Sequence, residues 1–233
     1  MRHRVVVARW DEDVSWAREY PHVIYDKGGG DGYIVALTLP SPGGRGEYAL
    51  TLPSPDGRGE LNVVRMEGNP EGHESHTYLH HIISQYDGLD DWTTFAQGWP
   101  FDHARNWERE WEAEPVSGFA WVGDWMPTDD GDGKPHHLQA ILPVGRAFEA
   151  IFGRPALESY TFVAGAQFTA SRELIRSRPR AFYEKVQALG FTEELEKDWG
   201  YTLERLWGYM WDEDLTPGPF PKREGEKQGA MNV

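Results

Sequence analysis

Val5-Val6-Val7-Ala8 runs straight into Arg9-Trp10-Asp11-Glu12-Asp13. Four apolar residues followed at once by charge read as a strand buried on both faces, with a polar loop at its carboxyl end. Asp11, Asp13 or Ser15 then offers a cap for a helix running to about Tyr20. His22 to Tyr25 repeats the strand signal, and Gly28-Gly29-Gly30-Asp31-Gly32 breaks it.

The same alternation continues along the chain. Tyr78, Leu79, Ile82, Ile83 and Tyr86 make one apolar stripe of a helix from Ser75 to Tyr86. Trp92 to Ala96 is a third strand, with Gln97 to His103 as the loop at its end. A helix is expected from about Ala104 to Glu114, a strand from Gly118 to Val122, and a helix from Val144 to Phe152. Tyr160 to Phe168 reads as a strand or strand pair, and Ser171 caps a helix starting at Arg172. Pro179 to Leu189 is helical, and Thr192 caps a last helix carrying Leu203, Leu206, Trp207 and Met210. Alternating β and α units argue for one layered α/β domain over residues 1–212. In such sheets the ligand crevice lies outside the carboxyl ends of the strands. Three polar loops are therefore expected to converge there: Arg9 to Asp13, Asp26 to Gly30, and Gln97 to His103.

Residues 36 to 47, ALTLPSPGGRGE, return at 49 to 60 as ALTLPSPDGRGE. Two copies of so short a Pro/Gly unit cannot stack as a solenoid. They are expected to form a surface insertion at about 31–68 whose deletion over 36–60 leaves stability nearly unchanged. The tail, 213–233, has the same character and is expected to be disordered.

Composition narrows the partners. Lys plus Arg is 23 against 38 for Asp plus Glu, a formal charge of -15. A field of that sign repels phosphate backbones and anionic lipid, so nucleic acid is not an expected partner. Cys is absent, which removes a disulfide framework and Cys-ligated zinc. No run approaches the ~18 apolar residues of a membrane helix, and no signal peptide is visible. The expected setting is soluble and cytoplasmic. Eleven tryptophans fit either core filling or the stacking of sugar and base rings.

Chemistry gathers between Gly72 and His103. His73, His76, His80, His81 and His103 are five of the nine histidines, with Glu74 and Asp102 among them. His73-Glu74-Ser75-His76 is one residue short of the zinc motif that needs histidines at i and i+4, so a protease of that type is rejected. His76 and His80 do have that spacing, and with Asp102 or His103 they would make a three-ligand site. Asp102-His103, after Pro100-Phe101, is a candidate metal pair or acid and base; Asp102 also reads as a helix cap. Gln97 closes the third strand. Asp11 and Arg9 sit after the first strand, where carboxylates ligate metal or cap a helix. Lys27 follows the second strand. Gly165-Ala166-Gln167-Phe168 with Ser171-Arg172-Glu173 lets a ligand approach the backbone, with Gln167 and Arg172 as readers; close strand packing is the alternative. Glu204, on the last helix, is a weak candidate for a base. Asp129-Asp130-Gly131-Asp132-Gly133 lacks the closing Glu of an EF-hand and reads as a solvated turn.

In this order the segments 5–13 with Trp16, 23–28, 72–83, 95–103, 165–173 and 204–207 resemble the domain of unknown function 3431 family. Its layout is similar to GT-A-type glycosyltransferases. The resemblance implies a Rossmann-like, GT-A-like domain with a mixed, mostly parallel sheet and flanking helices. It implies a nucleotide-sugar donor, a carbohydrate acceptor and a Mn or Mg ion. Asp102-His103 would stand in for the Asp-x-Asp metal motif. Arg9 and Asp11 would contact nucleotide, Lys27, Glu74, His76 and Gln97 the substrate, Gln167 and Arg172 the sugar or acceptor, and Glu204 would be the base. A metal-dependent hydrolase using His76, His80 and Asp102, and a non-catalytic carbohydrate-binding domain, are the alternatives.

Overall fold

The computed structural model describes residues 1–28, 48–52, 61–66, 72–111, 114–123, 129–130, 142–196 and 198–211. The expected tail at 213–233 and most of the expected insertion lie outside them.

The opening apolar run is strand β1 (His3–Arg9). Parallel to it on one side lies β2 (His22–Asp26), followed outward by β4 (Leu61–Arg65), also parallel, and β3 (Tyr48–Leu52), antiparallel at the edge. On the other side of β1 lies parallel β5 (Trp92–Gln97). The sheet continues with antiparallel β9 (Phe168–Ser171) and ends with β6 (Phe119–Trp121). This mixed seven-stranded sheet has the order β3-β4-β2-β1-β5-β9-β6. A separate ribbon pairs β7 (Asp129–Asp130) with β8 (Ser159–Tyr160).

The unbroken Val5-Val6-Val7-Ala8 run is explained by cover on both faces. Val6 and Ala8 join the larger core, beside Tyr78, Phe95, Phe168 and Trp207. Val5 and Val7 join the smaller one, with Ile24, Leu61, Val63 and Trp107. Helices α1 (His73–Gln85), α3 (Val144–Phe152), α5 (Arg180–Leu189) and α6 (Trp199–Leu206) contribute to the first. A 3-10 turn at Ser15–Glu19 and short α2 (Trp107–Glu110) contribute to the second. Helix α4 (Arg172–Arg176) follows β9 directly, and Ser171 caps it by accepting Leu174 N–H at 3.1 Å. Among the described residues, no helix is long and apolar enough to cross a membrane.

Several expectations change. Leu61–Arg65 falls within the span assigned to the insertion, yet it is β4, with Leu61 and Val63 buried. Tyr48–Leu52, partly inside the second repeat copy, is the edge strand β3, so removing 36–60 takes a piece of the sheet with it. Tyr160 to Phe168 is not a strand pair: the strand begins at Phe168 and runs into the capping Ser171. The helix expected over 104–114 shrinks to α2. The last helix starts at Trp199, after Asp198 in a left-handed conformation (φ 60°), and not at Thr192.

Candidate active-site crevice

The chain leaves β1 for β2 on one side and returns to β5 on the other. Outside the carboxyl ends of those strands, where the direction reverses, a crevice is favoured. One of about 570 Å³ lies there, a volume typical of small-ligand sites. The end of β1 supplies Arg9, Trp10 and Glu12, β2 supplies Lys27, and α1 supplies His73 and Glu74. The loop after β5 supplies Gln97, Gly98, Trp99 and Asp102. The three loops converge as the alternation predicts.

Buried ion pairs fix the rim. Asp26 is 1% exposed and meets Arg9 at 2.9 Å and Arg65 at 2.6 Å. Its Oδ1 also accepts Gly28 N–H at 3.0 Å. Glycine is required at that position, because a Cβ would overlap the Trp10 carbonyl. Arg9 Nε donates to Glu12 O at 3.0 Å, and Glu12 Oε2 accepts Trp10 N–H at 2.7 Å. Lys27 Nζ donates to the carbonyl of His73. His73 has φ 44°, a left-handed geometry that costs a non-glycine residue about 1–3 kcal/mol.

Electrostatics divide the crevice. Burial brings the Lys27 ammonium down to about 8, against the pull of Glu74 and Glu12. Burial first, then nearby Glu204, pushes the Glu74 carboxyl up to about 7; its own backbone N–H and Lys27 oppose this. Tyr78, one turn below Glu74 on the same helical face, is fully buried, and its hydroxyl has no hydrogen-bond partner among the described residues. Glu204 is buried with Oε1 accepting Gly165 N–H at 2.7 Å and Oε2 accepting from Arg205 at 2.6 Å. Burial raises its pKa too, against Arg205, the Gly165 N–H and His103.

The structure thus gathers Arg9, Lys27, Glu74, Gln97 and Asp102 of the expected residues, and sets the others elsewhere. Asp11 is exposed and outside the lining; its neighbour Glu12 turns inward instead. His76 is buried, with its ring 5.9 Å from that of Phe191, and burial lowers its pKa to about 4. Gln167 is fully buried: its Oε1 accepts Gln97 N–H at 3.4 Å and its Nε2 donates to Pro100 O at 3.2 Å. It holds the loop after β5 and is not part of the crevice lining. Arg172 lies at the opposite rim, paired with Asp91 at 2.8 Å beside the start of β5. Glu204 is engaged below the crevice and is not part of its lining.

The expected metal pair is not joined. Asp102 lines the crevice, whereas His103 is packed against Gly165, where an added Cβ would stand 3.0 Å from its ring. Among the described residues no three His, Asp or Glu side chains gather in ligand geometry, and this includes His76, His80 and Asp102.

The lining also takes in Glu12, His73, Trp10 and Trp99, which were given no role from sequence although His73 heads the histidine cluster and Glu12 adjoins Asp11. Only Trp10 and Trp99 are exposed among the described tryptophans, at 50% and 44%. Trp16, Trp107, Trp199, Trp207 and Trp211 pack in the cores. Core filling therefore accounts for those five, and Trp10 and Trp99 stand outside it.

Residues 110–223 match the model of a family described as a protein of unknown function (DUF3431). The match is just under half of the chain and supports the resemblance carried by the motifs. It contains the segments 165–173 and 204–207, with β9 and α6, and begins after the crevice lining, all of which precedes it. No curated protein and no solved structure matches the chain.

Proposed function

We propose that the crevice binds a nucleotide sugar and that the chain is a glycosyltransferase. The observation that supports this best is one cavity whose lining holds two solvent-facing indoles, Trp10 and Trp99, together with a carboxyl whose pKa is raised to about 7, Glu74. Flat indoles stack on base and sugar rings, and a carboxyl with a pKa near the working pH suits proton transfer.

In this reading Glu74, not Glu204, takes the proton from the acceptor hydroxyl. The hydroxyl oxygen bonds to the anomeric carbon. The bond from that carbon to the diphosphate oxygen breaks, and its electron pair stays on the diphosphate. Arg9 and Lys27, at the β1 and β2 ends, offset the charge that develops there. Asp102 accepts from sugar hydroxyls, and the Gln97 amide both accepts from and donates to them. No step requires a metal held by the protein.

The test is a thermal-shift screen of the full chain with UDP, GDP and their glucose and mannose conjugates, with Mn and with EDTA. Stabilisation by at least one nucleotide in EDTA, and release of nucleoside diphosphate from its conjugate, are expected. No response to any of them overturns the reading. Stabilisation by free glycans with no turnover of any conjugate favours a non-catalytic carbohydrate-binding domain, which the exposed tryptophans also fit.

A further inference from the structure

The crevice has a second aromatic edge. Tyr201, in the first turn of α6, is 37% exposed, and its ring centroid lies 4.9 Å from that of His73, a lining residue. The helices meet closely here: a Cβ on Gly200 would stand 2.7 Å from His73 Cδ2 and 3.0 Å from Gly72 O. Both residues that bring the helix starts together, His73 and Asp198, hold left-handed backbone angles of 44° and 60°. Such strain persists only where the surroundings impose it, and it concentrates at ligand sites.

Charge distinguishes this edge from the one formed by Trp10 and Trp99. Arg9 closes β1, and Lys27, just after β2, reaches across to the His73 carbonyl. Glu74, Glu204 and Asp198 act on the Tyr201 hydroxyl and, with burial, hold its pKa above the usual value. The one opposing cation among them, Arg205, is paired with Glu204 at 2.6 Å. The Lys27 ammonium, which donates to the His73 carbonyl, is set there against the Glu74, Glu204 and Asp198 carboxyls, so the edge favours an uncharged ligand over an anion: sugar hydroxyls donate to carboxylates and sugar ring faces stack on aromatic ones.

We infer that His73 and Tyr201 form a second subsite that takes an uncharged sugar ring. Its role as the acceptor site rests on the transferase reading; its existence does not. A ring held there has its hydroxyls beside Glu74, the residue next to His73 whose side chain enters the crevice.

Saturation-transfer NMR on the full chain tests this with cellobiose, maltose and lactose as uncharged probes and glucuronic acid as the anionic one. The wild-type chain should saturate at least one disaccharide and discriminate against glucuronic acid. Tyr201→Ala should weaken that disaccharide about fivefold or more, the scale of one lost stacking contact, and Tyr201→Phe should retain it. Trp99→Ala should leave it bound while weakening the nucleotide response. An undiminished signal in Tyr201→Ala, equal binding of glucuronic acid, or no signal from any disaccharide overturns the subsite. If nucleotides fail but the disaccharide still depends on Tyr201, the transferase reading falls and the subsite stands.

Discussion

Gly98 is packed against Glu12 so closely that a Cβ on the glycine would stand 2.7 Å from the Glu12 carboxyl carbon and 3.0 Å from its Cβ. The loop after β5 thereby holds the Glu12 carboxylate where it accepts Trp10 N–H and Asp11 N–H. Gly98→Ala should displace Glu12 and, with it, Trp10. The expected result is about a tenfold loss of nucleotide affinity, equivalent to about 1.4 kcal/mol. Calorimetric titration measures it, and an unchanged affinity refutes the coupling.

Asp26 joins the ends of three strands, since it accepts from Arg9 on β1 and Arg65 on β4. Removing its charge leaves two partly buried guanidinium groups without their counter-ion, which costs about 3 kcal/mol. Asp26→Asn should therefore lower the melting temperature by roughly 10 °C in a domain of this size. A shift of less than about 2 °C, below what even 1 kcal/mol produces, would show that the pairs contribute little.

Glu74 gives stability a pH dependence of predictable sign. The folded chain keeps this proton up to about pH 7, whereas the unfolded chain releases it near 4.5. Between those values the folded state holds the extra proton, so this contribution to stability falls as pH rises and is fully lost above about 7. Glu74→Gln should melt with the wild type near pH 4 and above it near pH 8. Lys27, lowered to about 8 from 10.5 with Glu74 among the groups that hold it up, begins to lose its proton at the top of this range, so the decisive change in the melting difference is the one between pH 4 and 7. A melting difference that is constant from pH 4 to 8 contradicts the assignment. Turnover in the wild type should rise through about pH 7, as the base ionises.

The strands that carry the crevice were readable because they are covered on both faces. Val5-Val6-Val7-Ala8 leaves no polar face, and only a central strand tolerates that. Gln97 and Asp102 followed from the position of the loop after such a strand. Within Asp11-Glu12-Asp13 the letters are nearly equivalent, and nothing in the sequence says that Glu12 turns inward. That choice is made by Gly98, far away in the chain. Gln167 and Glu204 look like ligands in sequence because amides and carboxylates are rarely buried. Here tertiary contacts supply them with backbone partners at Gln97, Pro100 and Gly165. Arg172 was misplaced with its strand: once β9 runs antiparallel to β5, its end lies at the other rim. β4 was hidden because its Pro/Gly-rich neighbours dominated the local composition.

That hidden strand makes two deletions unequal. Removing residues 36–60 takes β3, an edge strand joined to the sheet only through β4. Removing 36–65 also takes Leu61 and Val63, which are 6% and 3% exposed in the smaller core. Burial of two such side chains contributes about 3–6 kcal/mol. It also leaves β2, with its buried Ile24, as a bare edge. The longer deletion should lower the melting temperature by roughly 10 °C more than the shorter one, and should raise aggregation on heating. Equal melting temperatures would mean that Leu61–Arg65 adds nothing to the sheet, and β4 would then have no energetic part in holding Asp26 at the crevice through Arg65.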